Sequence, residues 1–406
     1  MIRKIKILAT LIKEYGFINV LVYAVFKFVP DSSNLLKRRL NISNHVYDYQ
    51  TWISYGGLSA PIEHSDKKKT FIWFVPDWTN VWGGGHYTLF RFADHFSKYD
   101  TRNIIYIYDN SRHVSPIYLE CQLKSALKGS NLEVITDPKL LPSCDAVIAT
   151  TWQSAYFVRA FNFAKKKFYF MQDYESTFYA HGTSSMQANA TYSFGFHGIT
   201  GGGWLKKCYE SHGGSAQNYL FAADKRIFYP KDSRVRSSVK KIFFYGRPST
   251  ERRCYDLGIA SLMKIAELFP EVEIVIAGLD LKTPPPFKAT LLGNMTLAET
   301  GNLYRTCDIG IAFSATNLSY LPVELMASGV PVISNNGPHI EWHCKDGINS
   351  YLVDPVPAAV VDAFIRLYND RELRQKLVVG GLETMKLLSW EDQMSKIYEY
   401  VDKALE

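Results

Sequence analysis

Short apolar runs bounded by polar turns recur along this chain, and between them apolar positions fall three and four residues apart. FIWFVP (71–76), Asn103–Tyr108 and the segments near 132–135, 145–149 and 167–171 read as buried strands. Tyr87–Phe96 and Ser115–Lys128 carry helical spacing between them, and candidate elements around Gly198 and Tyr219 complete a first unit. NYLFAADKRIFYPKDSRVRSS (218–238) turns polar and basic and reads as a linker. The pattern then restarts with strands at Lys241–Tyr245, Val272–Ala277, Asp308–Phe313 and Val330–Ile333, and helices at Cys254–Phe269 and Leu297–Thr306. A last helix is expected over 389–405. Strands alternating with helices predict an α/β protein with parallel, doubly wound sheets. Two Rossmann-like units in tandem are the outcome, with a ligand expected between them at the C-terminal strand ends.

The length of 406 residues suits two domains. Before the first strand, residues 41–69 are mixed and end in the polar run HSDKKK. The domains are therefore drawn as a basic amphipathic segment (1–40), an N-terminal Rossmann-like acceptor domain (41–235), a C-terminal Rossmann-like donor domain (236–388) and a final helix (389–406). The aromatic share of 14% serves cores and would also serve carbohydrate faces. Net charge is +7, with much of the excess in residues 3–39, a distribution unlike that of a nucleic-acid binder and suited to anionic lipid headgroups. The uncharged stretch Tyr15–Phe26 is too short to span a bilayer. It lies on a membrane surface or packs on the first domain, and both readings stay open. The six cysteines are scattered without a C-x-x-C pair, and Cys144 and Cys307 sit beside predicted strands, as reduced core thiols of a cytoplasmic protein would.

Several segments carry chemistry. SYLPVELMASGVPVIS (319–334) reads as loop, short helix, small-residue turn and buried strand, with Pro322 and Glu324 on the first helical turn. A carboxylate there, near free backbone N–H groups, can hold sugar hydroxyls while the helix end faces phosphates. IFFYGRPSTERR (242–253) puts Arg247, Arg252 and Arg253 between a strand end and a helix start, where anions bind. Fixed guanidinium groups there stabilise a departing phosphate. NVWGGGHYTLFRFADHF (80–96) offers Gly83, Gly84 and Gly85 for close backbone approach to a phosphate or sugar, and lacks the G-x-G-x-x-G spacing. FYFMQDYESTFY (168–179) gathers Asp173 and Glu175 among aromatics; a solvated turn is the competing reading. HIEWH (339–343) has the wrong order for a zinc helix, and no catalytic metal is expected. HGITGGGWLKK (197–207) is read as structural.

The 319–334 segment resembles the signature of retaining, GT-B-fold glycosyltransferases of family 4, and GRPSTERR resembles that family's G-R-x-x-x-x-K/R pattern with Arg252 at the second basic position. The wording GRP…ERR is most similar to bacterial rhamnosyltransferases of S-layer and O-antigen-type glycans. The resemblance implies that Arg247 and Arg252 bind the donor diphosphate and that Glu324, with Tyr320, meets the nucleotide. It implies that the Gly293–Asn294–Met295 turn contacts the base, that the glycine loop faces the donor, and that the last helix crosses back to the first domain. Asp173 and Tyr174 would lie on the acceptor side, Asp173 orienting a hydroxyl and Tyr174, Phe178 and Tyr179 stacking on sugar faces. One departure stands out: the first glutamate of the family's pair should lie eight residues before Glu324, where this chain has Thr316.

The resemblance implies transfer with retention from a nucleotide-diphosphate sugar to a glycan or lipid-linked glycan acceptor, without cofactor or metal. The preferred donor is dTDP-L-rhamnose, with UDP- and GDP-sugars open, and the expected location is the cytoplasm or the inner membrane face. The alternatives are a nucleotide-sugar epimerase and a degenerate, non-catalytic assembly scaffold.

Overall fold

The structure, a computed structural model, describes residues 68–78, 80–109, 114–231, 236–278 and 284–406. The basic segment 1–40 and the residues up to 67 lie outside the described residues.

The first lobe runs β1 (Thr70–Pro76), α1 (Gly84–Phe96), β2 (Arg102–Asp109), α2 (Pro116–Ala126), β3 (Glu133–Ile135), β4 (Cys144–Ala149), α3 (Trp152–Ala160), β5 (Ala164–Met171), α4 (Thr183–Ala190), β6 (His197–Gly201), α5 (Gly203–Glu210) and β7 (Ser215–Tyr219). Its strands form one sheet in the order β3-β2-β1-β4-β5-β6-β7, and every neighbouring pair is parallel. β1 is central and nearly all buried, which is why it reads as a continuous apolar run.

The second lobe runs β8 (Lys241–Gly246), α6 (Tyr255–Leu268), β9 (Glu273–Gly278), β10 (Thr290–Leu291), α7 (Leu297–Tyr304), β11 (Ile309–Ile311), α8 (Tyr320–Ala327), β12 (Val332–Asn335), α9 (Pro338–Glu341), β13 (Tyr351–Val353), α10 (Pro357–Asn369) and α11 (Arg371–Lys386). Its sheet, also parallel, is ordered β10-β9-β8-β11-β12-β13. In each sheet the strand order reverses beside the first strand, which opens a crevice at the carboxyl ends.

The final helix α12 (Trp390–Leu405) packs on α1 and β7 of the first lobe. Tyr398 stacks on Tyr99 with centroids 3.8 Å apart, His95 Nε2 lies 3.1 Å from Ser395 Oγ, and the Gln393 side chain accepts from the Leu220 backbone N–H at 2.8 Å. The stretch expected to be a linker differs from that reading: Asn218 and Tyr219 end β7, and Phe221 and Phe228 are buried among residues of both lobes. Lys225 and Arg226 lie on the surface, while Tyr219, Phe221 and Phe228 are buried.

Candidate active site

The carboxyl ends of β1, β4 and β5 face those of β8 and β11 across a cleft of about 560 Å³, a size that suits a small-molecule ligand. On the second-lobe side, β8 ends at Gly246 and the chain passes through a short turn at Glu251–Arg253 before α6. Arg247, Arg252 and Arg253 all line the cleft. Three guanidinium groups just ahead of a long helix make an anion-attracting wall.

Arg252 is gripped from the opposite lobe. Its guanidinium carbon lies 4.0 Å from the centre of the Phe178 ring, and its Nε is 3.6 Å from Asp173 Oδ2. Arg253 donates to Ser314 Oγ at 2.7 Å. Burial lowers the Arg253 pKa, Asp173 opposes that shift, and Arg252 and Arg247 add to it.

Glu324 lies in the second turn of α8, not the first. Ser319 is the N-cap and the helix starts at Tyr320, so Pro322 occupies its third position. A proline is tolerated there because the first N–H groups of a helix have no intrahelical acceptor. Glu324 lines the same cleft as the arginines. Burial raises its pKa from 4.5 to about 8, with Arg91 acting weakly the other way. Tyr320 also lines the cleft, and its ring lies 4.4 Å from Phe221 and 5.6 Å from Trp390.

Of the glycine loop, Gly84 and Gly85 reach the cleft, while Gly83 is the N-cap of α1 and donates to the Asn80 carbonyl at 3.1 Å. In the Gly293–Asn294–Met295 turn only Met295 lines this cleft. Gly293, at φ 53°, accepts from the Gly278 N–H at 2.7 Å and so ties the turn to the end of β9. Asn294 faces a neighbouring hollow that Met295 shares.

Two acceptor-side expectations are altered. Asp173 does not stand free for a hydroxyl: Oδ2 accepts from Thr316 Oγ1 at 3.0 Å and Oδ1 from the Asn317 N–H at 2.8 Å. Both partners belong to the second lobe, so this carboxylate joins the lobes and flanks Arg252. Tyr174 turns away from the cleft. Its hydroxyl donates to Asn189 Oδ1 at 3.0 Å and its ring stacks on Tyr192 with centroids 4.9 Å apart. The cleft aromatic of this loop is Phe178.

The sequence reading missed Gln172 and Asn317. Gln172 Nε2 donates to the Gly85 carbonyl at 2.9 Å, pinning the glycine loop. Asn317 is fully buried; its Nδ2 donates to the carbonyls of Gln172 and Gly201 at 3.0 and 2.7 Å, and its Oδ1 accepts from Trp342 Nε1 at 3.0 Å. Gln172 had a signal, its place beside Asp173 at a strand end. Asn317 had none in its local pattern. The HIEWH histidines are separately engaged: His339 Nε2 lies 3.0 Å from the Ser314 carbonyl, and His343 is buried with its pKa lowered to about 4 by desolvation.

Comparison with known proteins places this geometry in context. A family model described as WsaF, C-terminal domain, matches residues 240–364. The O-antigen biosynthesis protein RfbC of Myxococcus xanthus is 35% identical over 351 residues, covering 83% of this chain; the chain spans only 27% of RfbC. Sucrose-phosphate synthase from Thermosynechococcus elongatus superposes with a TM-score of 0.65 at 13% identity, covering 83% of this chain and all of that one. Anabaena HepE, solved with UDP and glucose, superposes with a TM-score of 0.63 at 14% identity, covering 83% of this chain and 99% of its own. The chain has the GT-B fold of these glycosyltransferase structures, two Rossmann-like lobes facing one cleft, and its second lobe is similar to the WsaF C-terminal domain.

Proposed function

We propose that the chain is a glycosyltransferase of bacterial surface-polysaccharide assembly, moving a sugar from a nucleotide-diphosphate donor to a glycan acceptor with retention of configuration. The observation that carries this reading is the meeting of Arg247, Arg252 and Arg253 with Glu324 in one cleft between two Rossmann-like lobes. In this reading the guanidinium groups and the α6 N-terminus take the charge that builds on the leaving diphosphate, and no resident metal is invoked. Glu324 holds the nucleotide ribose, and Met295 lies against the base. The two lobes exclude water that would otherwise hydrolyse the donor. The leaving phosphate itself accepts the proton of the attacking hydroxyl on the same face of the sugar.

The likeness to RfbC, an O-antigen biosynthesis protein, supports a polysaccharide acceptor. The GRP…ERR wording, similar to that of bacterial rhamnosyltransferases, favours dTDP-L-rhamnose as donor, and the UDP held by HepE makes a UDP-sugar the second choice. We place the reaction at the cytoplasmic membrane face, on a lipid-linked acceptor, with the basic segment 1–40 as the contact. Among the described residues no helix is long and apolar enough to cross a membrane.

Thermal shift across dTDP, UDP, GDP and ADP tests the donor. One nucleotide should raise the melting temperature through preferential binding to the folded state. That nucleotide's sugar should then label extracted lipid-linked glycan. A protein whose melting temperature moves with none of the four would overturn the reading.

A further inference from the structure

Arg91 lies on α1 in the first lobe, outside the cleft, and is built into its place. Its guanidinium carbon is 4.7 Å from the centre of the Tyr87 ring, one helical turn back, and 5.4 Å from that of Trp390. Its Nη2 donates to Asp224 Oδ2 at 3.3 Å, and its side chain is only 16% exposed. Asp224 belongs to the crossover between the lobes and Trp390 opens α12, so both chain connections between the lobes meet on this one side chain. On its other side Trp390 lies 5.6 Å from Tyr320, the first residue of the helix that bears Glu324. Arg91 lines a second hollow, which shares Trp82, Met295 and Leu297 with the cleft. A guanidinium fixed on three sides and largely out of water keeps its charge in one spot and is screened less than a surface charge.

Glu324 is the group on which that charge acts. It is half-buried in the cleft, and among the described residues no side chain forms a hydrogen bond or an ion pair with its carboxyl. Tyr320 of α8 and Tyr304 of α7 stand beside it; burial pushes both upward, Tyr320 to about 12, so neither carries charge near neutral pH. Arg247, Arg252 and Arg253 line the cleft from the end of β8, and the charges acting on Arg253 are Asp173, Arg252 and Arg247. The charge that opposes burial at Glu324 comes from Arg91, in the other lobe. An opposite charge nearby favours the ionised form of a carboxyl, and an ionised carboxyl accepts hydroxyl hydrogens more strongly than a neutral one.

We propose that Arg91 is a positioning residue for nucleotide binding, a first-lobe cation held at the junction of the lobes that keeps the Glu324 carboxylate in its accepting form. The assignment rests on the reading of Glu324 as the group that holds the hydroxyls of the nucleotide. Arg91 acts through Glu324 and touches no ligand. It makes the grip of the second lobe on its nucleotide depend on the first lobe being in place.

Calorimetric titration of the full chain between pH 7 and 9 tests it, with whichever of dTDP, UDP, GDP and ADP raises the melting temperature most. Wild-type affinity should rise through about pH 8 as Glu324 ionises. Arg91→Met and Arg91→Gln lose the charge and keep a side chain between the rings, while Arg226, 3.1 Å from Asp224 Oδ2, keeps that carboxylate paired. Each should move the rise upward by about half a pH unit, which weakens binding about threefold at pH 7. Arg91→Lys should leave the rise where it is. In a Glu324→Gln chain, Arg91→Met should change affinity by less than about 1.5-fold, a coupling that a general packing defect would not show. Either neutral variant suffices if it melts as wild type does, and failure of both to fold makes the role of Arg91 structural and overturns the proposal. So does a rise that stays put in a folded neutral variant, an equal loss in the Glu324→Gln chain, or a wild-type affinity flat from pH 7 to 9. Absence of binding to all four nucleotides overturns the glycosyltransferase reading itself.

Discussion

Arg252 owes its orientation to residues on the far side of the cleft, Phe178 under its plane and Asp173 at its edge. A lysine keeps the charge but loses the planar fork and the stacking surface. Arg252→Ala should lower transfer by ~10²–10³, the range for removing one donor aimed at developing charge. Arg252→Lys should recover only a small part of that loss in a steady-state transfer assay. Glu324 gives a second residue-scale expectation. Its folded-state pKa is raised from 4.5 to about 8. The native chain therefore binds a proton that the unfolded chain releases, so this contribution to stability is full below about pH 4.5 and is lost as pH rises through about 8. Glu324→Gln should flatten the dependence of urea-unfolding stability on pH across that window. An unchanged slope would show that the carboxyl is ionised in the folded protein.

At the scale of elements, the central strands were the most legible part of the chain. Ile72–Val75 and Ile242–Phe244 are buried, so their apolar runs are uninterrupted. The helices of residues 152–160 and 357–386 were not assigned from sequence. In α3 the helix is set by a reciprocal cap between Thr151 and Ser154, and its nine residues are too short a run to show a clear period. Strand β13 has three residues and only one is buried, which leaves no pattern to read. Pro322 does lie in the first turn of α8, but Glu324 falls one turn later than expected because a proline marks where a helix is permitted, not where it begins. Close element packing also makes a test. In α6, a Cβ added to Gly258 would lie 2.0 Å from the Phe244 ring. Gly258→Ala should therefore destabilise by ~1–3 kcal/mol, as overpacking does, despite the better helix propensity of alanine. Denaturant melts would register it, and a gain in stability would mean that α6 shifts freely on its sheet.

For the whole molecule, the interlobe joint is what the sequence concealed. The arginines, Gly84 and Gly85 were readable because strand–loop–helix punctuation marks them locally. The place of Asp173 in the joint between the lobes was not, since it meets Thr316 and Asn317 across 143 and 144 residues of chain. That pairing exists only once both lobes are folded and closed. Gly202, at φ 92°, shares this joint, where a Cβ would lie 2.5 Å from the Trp342 ring. Asn317→Ala removes the side-chain partner of Gln172, Gly201 and Trp342 together. Small-angle scattering should show a larger radius of gyration for this variant, and transfer should fall with nucleotide affinity largely kept. A variant as compact as wild type would mean that the other interlobe contacts suffice.

The last helix has a consequence for biosynthesis. The first lobe leaves the ribosome before the second, yet the surface of α1 that Met394, Ile397 and Tyr398 cover stays bare until the whole second lobe has followed it. At ordinary elongation rates that interval is on the order of ten seconds, during which apolar side chains stand open to chaperones or to other nascent chains. A chain stopped after residue 388 should accumulate with such helpers, and a synthetic peptide of residues 389–406 supplied separately should release it.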